Sequence, residues 1–483
     1  MSAAPPDKTS HLIELDADPA PSTADHALAR RHAPRIRFDA REPFLPGAVG
    51  YTVFSQNGPS PSFPRDIVLP PGAVCAIEYA IWWDWDIQHL YELEHIWLYL
   101  DAHERLVDAE ASWHGGFNPM RDEGGALPVE AGRLTLCSEP GKHAFAPSPG
   151  WLLDRAEVTC RACGPCSGNM GLHVTPLFES ALRPGRTPLA NQLTLTYLEE
   201  RAFTPAFAFT QVFDLADVPF VPWERMARWI PQRVNGWVRQ LDRDIPFSRR
   251  RALRIAHRGA SAYAQENSPS AIRKAAEVGA DMVEVDIHTT ADDVPVVTHD
   301  ADLKRVFGVE GAVAHLTAAQ IRARTPDGYE PIPTFDEAVA LCASLGIGLY
   351  LDIKSLNRRA AATLLETLER RHMIDHVIFG AFRPDVLAEI KAAAPRAQTS
   401  ILFGSTHLDP VLLAQAIGAC YVHPCWEDAA PSPHTLLAGP WLERVRSAGL
   451  GVITWHEERP DEIAALKALG VNGICSDRPD LLL

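Results

Sequence analysis

Two kinds of hydrophobic patterning divide the chain. In the second half, short apolar runs recur at 254–257, 282–287, 349–353, 376–380, 399–402, 420–423, 451–455 and 473–475. Runs of this length, rich in β-branched residues and bounded by turn formers, predict strands. Between most of them the apolar spacing changes to a helical period, as at 384–394 and 461–469. Eight strands alternating with helices over 252–483 predict a (β/α)8 TIM barrel. The stretch 34–220 reads differently. It has short alternating segments, such as 73–82, 95–100 and 192–197, frequent turn residues and little helical period. That predicts a mostly β, sandwich-like domain. Residues 1–33, rich in Ala, Pro and Asp, are expected to form a disordered tail. Residues 221–251 are expected to form a linking brace. A chain of 483 residues is too long for one ordinary core, which agrees with two domains.

The barrel half carries chemistry on its strands. Arg254-Ile-Ala-His257-Arg258-Gly259, Met282-Val-Glu284-Val-Asp286-Ile287 and Pro295-Val-Val-Thr-His299-Asp300 follow one another. Side chains alternate faces along a strand, so Glu284 and Asp286 share one face and Val283, Val285 and Ile287 the other. Two carboxylates on one face are costly unless they bind something. Too few residues separate Ile287 from Pro295 for a parallel crossover, so these strands are antiparallel. A tight two-residue turn at Asp292-Asp293 sets His299 directly across from Asp286. Asp352 and Lys354 again share one face. Two histidines, an arginine and this carboxylate set are what metal-assisted phosphodiester cleavage needs. An oxygen-rich ligand set suits Mg²⁺ or Ca²⁺ better than zinc.

Residues 252–483 resemble the glycerophosphodiester phosphodiesterase family. The resemblance rests on HRG at 257–259, Gln265-Glu266-Asn267-Ser268, GADMVEVDIHTTADDVPVVTHD, IPTFDEAV, Asp352-Ile-Lys354, Trp455 and Gly473-Ile-Cys-Ser-Asp477-Arg-Pro479. The family usually has P-E-N-T at 265–268, E-x-K at 352–354, Ser-Phe at Ala381-Phe382, and Gly at Asp293. The resemblance implies hydrolysis of glycerophosphodiesters to glycerol phosphate and an alcohol, by attack of a glycerol hydroxyl through a cyclic phosphate. His257 and His299 would transfer protons, and Arg258 and Lys354 would bind the phosphate. Glu284, Asp286 and Asp352 would hold one divalent cation, with Asp352 a shorter arm. Glu266, Asn267 and Trp455 would line the pocket. Two other readings stand beside this one: a lysophospholipase-D-like activity on longer lipids, and a degenerate lipid-binding scaffold.

The formal charge of −16 leaves no basic surplus to neutralise phosphates, which excludes nucleic acid as a partner. No apolar run reaches transmembrane length and the N-terminus has no signal pattern, so a cytoplasmic protein is expected. Arg- and Ala-rich, Lys-poor usage points to a bacterial source. In the first half, His89-Leu-Tyr-Glu92-Leu-Glu94-His95 follows Asp84 and Asp86. With SWHGG and PGKHAFAPSPG it resembles the Vps62-like family and its necrosis-inducing relatives, with Glu92 where Asp is usual. That resemblance implies His89, Glu92 and Glu94 as ligands of a second metal; the plainer reading is a polar sheet rim. Cys160, Cys163 and Cys166 with His173 have spacing that could grip a structural zinc; a redox pair plus a spare, or buried thiols, are the alternatives. The segment 221–251 carries Trp223, Trp229 and Trp237 with eight arginines against three acids. It reads either as a brace packing on both domains or as a membrane-surface contact.

Overall fold

Trp83 marks where two sheets of the N-terminal half meet: its ring lies 6.4 Å from Phe38 and 6.2 Å from Phe145, which stand on the facing sheet. The computed structural model describes Leu15 and residues 23–483. It falls into two compact units, residues up to Arg186 with Leu193–Asp244, and Thr187–Gln192 with Ile245–Leu483. In the first unit one sheet runs Phe145–Ala146, Arg133–Ser138, Arg35–Phe38, Gln211–Asp214, with Val129–Glu130 paired onto Arg133–Ser138. The other runs Phe220–Pro222, Ala48–Phe54, Cys75–Trp85, His89–Leu100, Leu106–Trp113, Gly116–Pro119, with Gly171–Leu172 paired onto His89–Leu100. Strands expected at 73–82 and 95–100 are present.

Three expectations for this half need correction. The segment 192–197 lies in the helix Pro188–Glu199, and Pro149–Leu153, Ala156–Cys163 and Glu179–Leu182 are helical too. The alternation at 192–197 is real in sequence, and Gln192, Leu193, Thr194 and Thr196 are all buried, yet the backbone there is helical. The tail expected at 1–33 falls mostly outside the described residues, and its end is the helix Ala24–His32, capped by Thr23, with Ala29 buried. The segment 221–251, expected as a linking brace, falls mostly inside the first unit. Residues Trp223–Asp244 form one helix through Pro231, within the first unit. It packs on Ala48–Phe54, where a Cβ at Gly50 would lie 3.1 Å from Trp223 and Met226. The Trp229 ring lies 5.6 Å from Trp82 and that of Trp237 5.1 Å from Trp85. The Arg233 guanidinium forks onto Asp84 at 2.8 and 2.6 Å. This packing offsets the cost of an interior proline.

The second unit is the barrel. Leu253–Ala256, Met282–Thr289, Gly348–Ile353, Val377–Ala381, Gln398–Phe403, Tyr421–Pro424, Gly451–Thr454 and Gly473–Ser476 pair in parallel, and the last pairs with the first to close the ring. Every expected run falls on one of these strands. Outward residues such as Val283, Val285, Leu349, Leu351 and Phe379 pack under the helices. Inward residues, among them Ile255, Met282, Tyr350, Tyr421 and Ile453, fill the interior. Helix starts are capped as the sequence dictates: Thr334 and Glu337 form a reciprocal capping box, and Ser268 accepts from the Ala271 amide. After Met282–Thr289 the chain makes the expected hairpin with Pro295–Val297. It then builds a satellite core of Val296, Leu303, Phe307, Val313, Ile321 and Ile332 before returning to the barrel.

Inside the ring, Tyr350 is fully buried, and a Cβ on Gly380 of the neighbouring strand would come within 2.6 Å of its ring. Gly380→Ala should therefore overpack the interior and cost about 1–3 kcal/mol. A lowered midpoint for the barrel's denaturant transition is the expected result, and an unchanged one would contradict the steric account.

Candidate active site

The strand Leu253–Ala256 delivers His257 to the C-terminal rim, and a tight turn follows. Arg258 has φ 53° and Gly259 φ 82°. A Cβ on Gly259 would meet Ala271 at 2.5 Å, so only glycine fits there. The turn aims the Arg258 backbone N–H at Glu284 Oε2, 2.8 Å away. Asn267, also left-handed at φ 56°, donates from Nδ2 to Asp286 Oδ2 at 2.8 Å and accepts from the Asp286 amide at 3.2 Å.

Parallel pairing sets Asp286 level with Asp352, and Glu284 level with Tyr350. Glu284, Asp286 and Asp352 are fully buried, and one oxygen of each lies within 4.8 Å of the others. The shorter Asp352 arm thus still reaches the group. Glu284 Oε1 and Asp352 Oδ1 have no hydrogen-bond partner. Lys354 Nζ lies 3.1 Å from Asp286 Oδ1 and also bonds Asp352. Arg258 Nε is 3.6 Å from Asp286 Oδ2. Burial, then the charges of Asp286 and Asp352, push the Glu284 carboxyl well above its usual range. Burial likewise brings Asp352 up to about 6. Burial also acts to raise Asp286, but Lys354 and Arg258 outweigh it and hold that carboxyl low. Buried oxygens facing one another without enough donors form a donor set that fits a hard divalent cation.

Both histidines are oriented through Nδ1. His257 Nδ1 bonds Asp477 Oδ1 at 2.6 Å, and Ser261 Oγ donates to the same oxygen at 2.7 Å. His257 Nε2 has no partner. Burial takes this imidazole below its ordinary value against the pull of Asp477, which is itself held down at about 2, chiefly by the hydrogen bond from His257 against the effect of burial. His299 Nδ1 bonds Asp300 Oδ1 at 2.7 Å. Trp455 follows its strand directly; its ring lies 5.2 Å from the His257 ring and 5.3 Å from Lys354 Nζ. The His456 ring stacks on His257 at 4.7 Å, and Tyr350 hydroxyl bonds His423 Nδ1 at 2.7 Å beneath the rim. Glu266 is tied up between Arg258 and Arg305.

The hairpin differs in detail from expectation. Ile287 pairs with Val297 and Thr289 with Pro295, so the residue level with Asp286 is Thr298, whose amide bonds the Asp286 carbonyl at 3.0 Å. His299 is one residue further on. The turn is not the expected two-residue one: the amide of Thr290 bonds Val294 O and that of Asp293 bonds Thr290 O. Such a three-residue loop needs a left-handed last residue, and Asp293 supplies it at φ 60°. Its carboxylate accepts from Asn357 Nδ2 at 2.6 Å. Gln265, where the family pattern has Pro, exchanges two hydrogen bonds with the Glu330 backbone at 2.9 and 3.0 Å.

In the first unit the geometry groups Asp86, His89 and Glu92, with one ligand atom each within 4.8 Å. Glu94 is not part of this group; it pairs with Ser112 and sits at about 7, raised by burial. The zinc expectation is not met: among the described residues no three of Cys160, Cys163, Cys166 and His173 come within ligand distance of one another. Cys163 is buried and donates to Pro140 O at 3.2 Å, while the His173 ring lies 4.8 Å from His89. Sequence reasoning missed Asp86 as a member of its group and gave Asp477, Ser261 and Arg305 no role. Asp86 lies three residues before His89, a spacing that could have suggested it. Asp477 stands 220 residues from His257, and only folding brings them together.

A closed parallel barrel with carboxylates, histidines and fixed cations at its C-terminal rim is the architecture of a barrel enzyme. Residues 257–481 match the model of the Glycerophosphoryl diester phosphodiesterase family. The chain is 27% identical over 244 residues to a glycerophosphodiester phosphodiesterase of Caldanaerobacter subterraneus subsp. tengcongensis, covering 48% of this chain and 97% of that protein. It is 35% identical over 153 residues to human glycerophosphodiester phosphodiesterase 1, covering 30% of this chain and 46% of that one. Among solved structures it is similar to a glycerophosphodiester phosphodiesterase from Thermotoga maritima, at 25% identity and a TM-score of 0.40, over 47% of this chain and 96% of that chain.

Asp477→Asn tests the local electrostatics. Asp477 supports the protonated His257 imidazole against burial, so its neutralisation should move the His257 titration further down. An NMR titration of the imidazole would read this, and an unmoved or raised midpoint would refute the account.

Proposed function

We propose that the barrel hydrolyses glycerophosphodiesters to glycerol phosphate and an alcohol, with His257 and His299 as the proton-transferring groups. The observation that carries this reading is the pairing of two Asp-oriented imidazoles with a buried carboxylate trio that retains unpartnered oxygens. Glu284, Asp286 and Asp352 would hold a divalent cation, Mg²⁺ or Ca²⁺. When bound, it would supply positive charge to a phosphoryl oxygen. Arg258 and Lys354 add fixed donors beside the trio and favour the negative charge that grows on phosphorus oxygens during displacement. His257, kept neutral by burial, has its Nε2 lone pair free to take the proton of the attacking hydroxyl. His299, entering the step protonated, gives its proton to the departing alkoxide; water then opens the resulting cyclic phosphate, giving a proton to His299 while His257 gives its own to the ring oxygen that leaves phosphorus. Trp455, beside both His257 and Lys354, walls the pocket and excludes water.

A second cation site is proposed at Asp86, His89 and Glu92. His89 Nδ1 donates to Tyr91 O at 2.8 Å, which leaves the Nε2 lone pair facing Asp86 at 3.6 Å and Glu92 at 3.5 Å. Lys142 Nζ already bonds Asp86 Oδ1 at 2.8 Å, so a cation on these three groups would compete with that ammonium and would draw on Asp86 Oδ2, which has no partner. Among the described residues no helix is long and apolar enough to cross a membrane.

Two outcomes test the barrel reading. His257→Ala and His299→Ala should each lower turnover of a small glycerophosphodiester at least about 10²-fold while the protein stays folded. Near-normal turnover in either variant would remove that residue from the chemistry. The cation reading predicts a pH dependence with a definite sign. Carboxyls raised above their unfolded values favour the fold below about pH 4 and lose that contribution as pH climbs through about 6 and beyond. Protons and cation compete for the same oxygens, so added Mg²⁺ or Ca²⁺ should raise the unfolding temperature more at about pH 7.5 than at about pH 5. Glu284→Gln should abolish most of that difference; a cation effect independent of pH would argue against the trio.

A further inference from the structure

His299 and Arg258 stand on different elements, yet an unbroken line of charged contacts joins them. His299 Nδ1 bonds Asp300 Oδ1, and Asp300 Oδ2 accepts from Arg305 Nε at 2.6 Å. The two terminal nitrogens of Arg305 fork onto Glu266, Nη1 to Oε2 at 2.9 Å and Nη2 to Oε1 at 2.5 Å. Glu266 Oε1 also accepts from Arg258 Nη1 at 3.2 Å. One guanidinium therefore holds two carboxylates at once, each of which holds a group at the rim. A lysine ammonium, a point charge without a fork, could not reproduce both contacts.

Packing fixes where this guanidinium stands. Arg305 lies on the one-turn helix Lys304–Phe307, and the flanking Leu303 and Phe307 are buried in the satellite core with Val313 and Ile321. The satellite core also carries Val296 of the hairpin strand that leads to His299. The fork onto Glu266 thus ties the inserted segment to the turn that bears Arg258.

We infer that Arg305 is a positioning residue that acts in two directions: through Asp300 it fixes the tautomer and ring orientation of His299, and through Glu266 it holds the Arg258 guanidinium against the carboxylate trio. This rests on the phosphodiesterase reading above. An imidazole that donates from Nδ1 keeps its reactive position at Nε2; once Asp300 is free to turn away, the other tautomer becomes accessible. An Arg258 released from Glu266 can swing out of the pocket, which weakens phosphate binding rather than proton transfer. The two arms therefore have different kinetic signatures.

The test uses the full chain with sn-glycero-3-phosphocholine as probe, steady-state kinetics, and nitrogen NMR of the imidazoles. Asp300→Asn should lower kcat by roughly 10–100-fold with little change in KM. Glu266→Gln should raise KM more than it lowers kcat. Arg305→Ala should show both effects and should lose the Nδ1–H signature of His299, while Arg305→Lys recovers at most one of them. Arg322→Ala serves as a control, since the Arg322–Glu337 pair is about as exposed as Arg305 and lies outside this line. It should leave kcat, KM and the imidazole signals as in the wild type. Wild-type kcat and KM in Arg305→Ala, with the His299 tautomer unchanged, would overturn the inference. Should Arg305→Ala fail to fold, Asp300→Asn and Arg305→Lys carry the same decision. A folded wild-type protein inactive on the diester would overturn the phosphodiesterase reading instead, and the tautomer signal would then decide for or against the contact line by itself.

Discussion

Three carboxylates on inward positions of two adjacent parallel strands are the constraint to which the barrel's rim answers. Level pairing of Asp286 with Asp352 leaves no geometric escape, and full burial denies them water. Uncompensated, such a cluster costs several kcal/mol per ion. The surroundings respond at each oxygen. Lys354 arrives two residues after Asp352, just past the end of its strand. The Arg258 amide and the Asn267 side chain arrive from a turn whose two non-glycine residues accept left-handed backbone in order to point there. Local strain at Arg258 and Asn267 is thus part of the site's construction. It persists because Gly259 closes onto Ala271 and Ser268 starts the following helix.

The first unit treats buried charge in a related way. Asp86 is neutralised by Lys142 at 2.8 Å, Glu139 Oε2 lies 2.7 Å from His114 Nε2, and His143 lies flat on Trp83 at 4.6 Å. Tyr91, His114 and His143 all have positive φ, so here too strained backbone aims polar groups inward. The two units share no topology, yet both concentrate their unusual backbone where carboxylates and imidazoles converge.

The barrel was legible because its strands are buried on both faces and interrupted by turn formers; a period-2 reading then assigned Glu284, Asp286, Asp352 and Lys354 to the interior without further help. What the period could not supply was the turn. One residue of difference in the 290–294 loop shifted His299 off the level of Asp286, and the signal for it was an Asp at a position that needs a left-handed backbone. The partners of the histidines were also hidden. Asp300 is adjacent to His299 and Arg305 lies five residues beyond Asp300, so both could have been suspected, whereas Asp477 reaches His257 across a fold of the chain that no local pattern encodes. In the N-terminal half the alternating Gln192-Leu-Thr-Leu-Thr-Tyr segment reads as strand by propensity, but it lies in the helix Pro188–Glu199, where a tertiary setting that buries Gln192, Leu193, Thr194 and Thr196 overrides that propensity. Cys160, Cys163 and Cys166 have metal-like spacing, but a helix end and a buried thiol bonded to Pro140 disperse them.

The contact between Gly380 and Tyr350 constrains more than packing. A missing side chain on one strand is the volume in which the aromatic ring of the next strand lies, and the Tyr350 hydroxyl then reaches His423 on the far side of the ring of strands. Neither identity can drift alone. A larger residue at 380 collides with the ring, and a smaller one at 350 opens a void and strands a buried imidazole nitrogen without its partner. The two positions should therefore change together over evolutionary time, as a pair inherited or replaced in one step, and each pair defines a separate lineage of barrel interior beneath an otherwise constant rim.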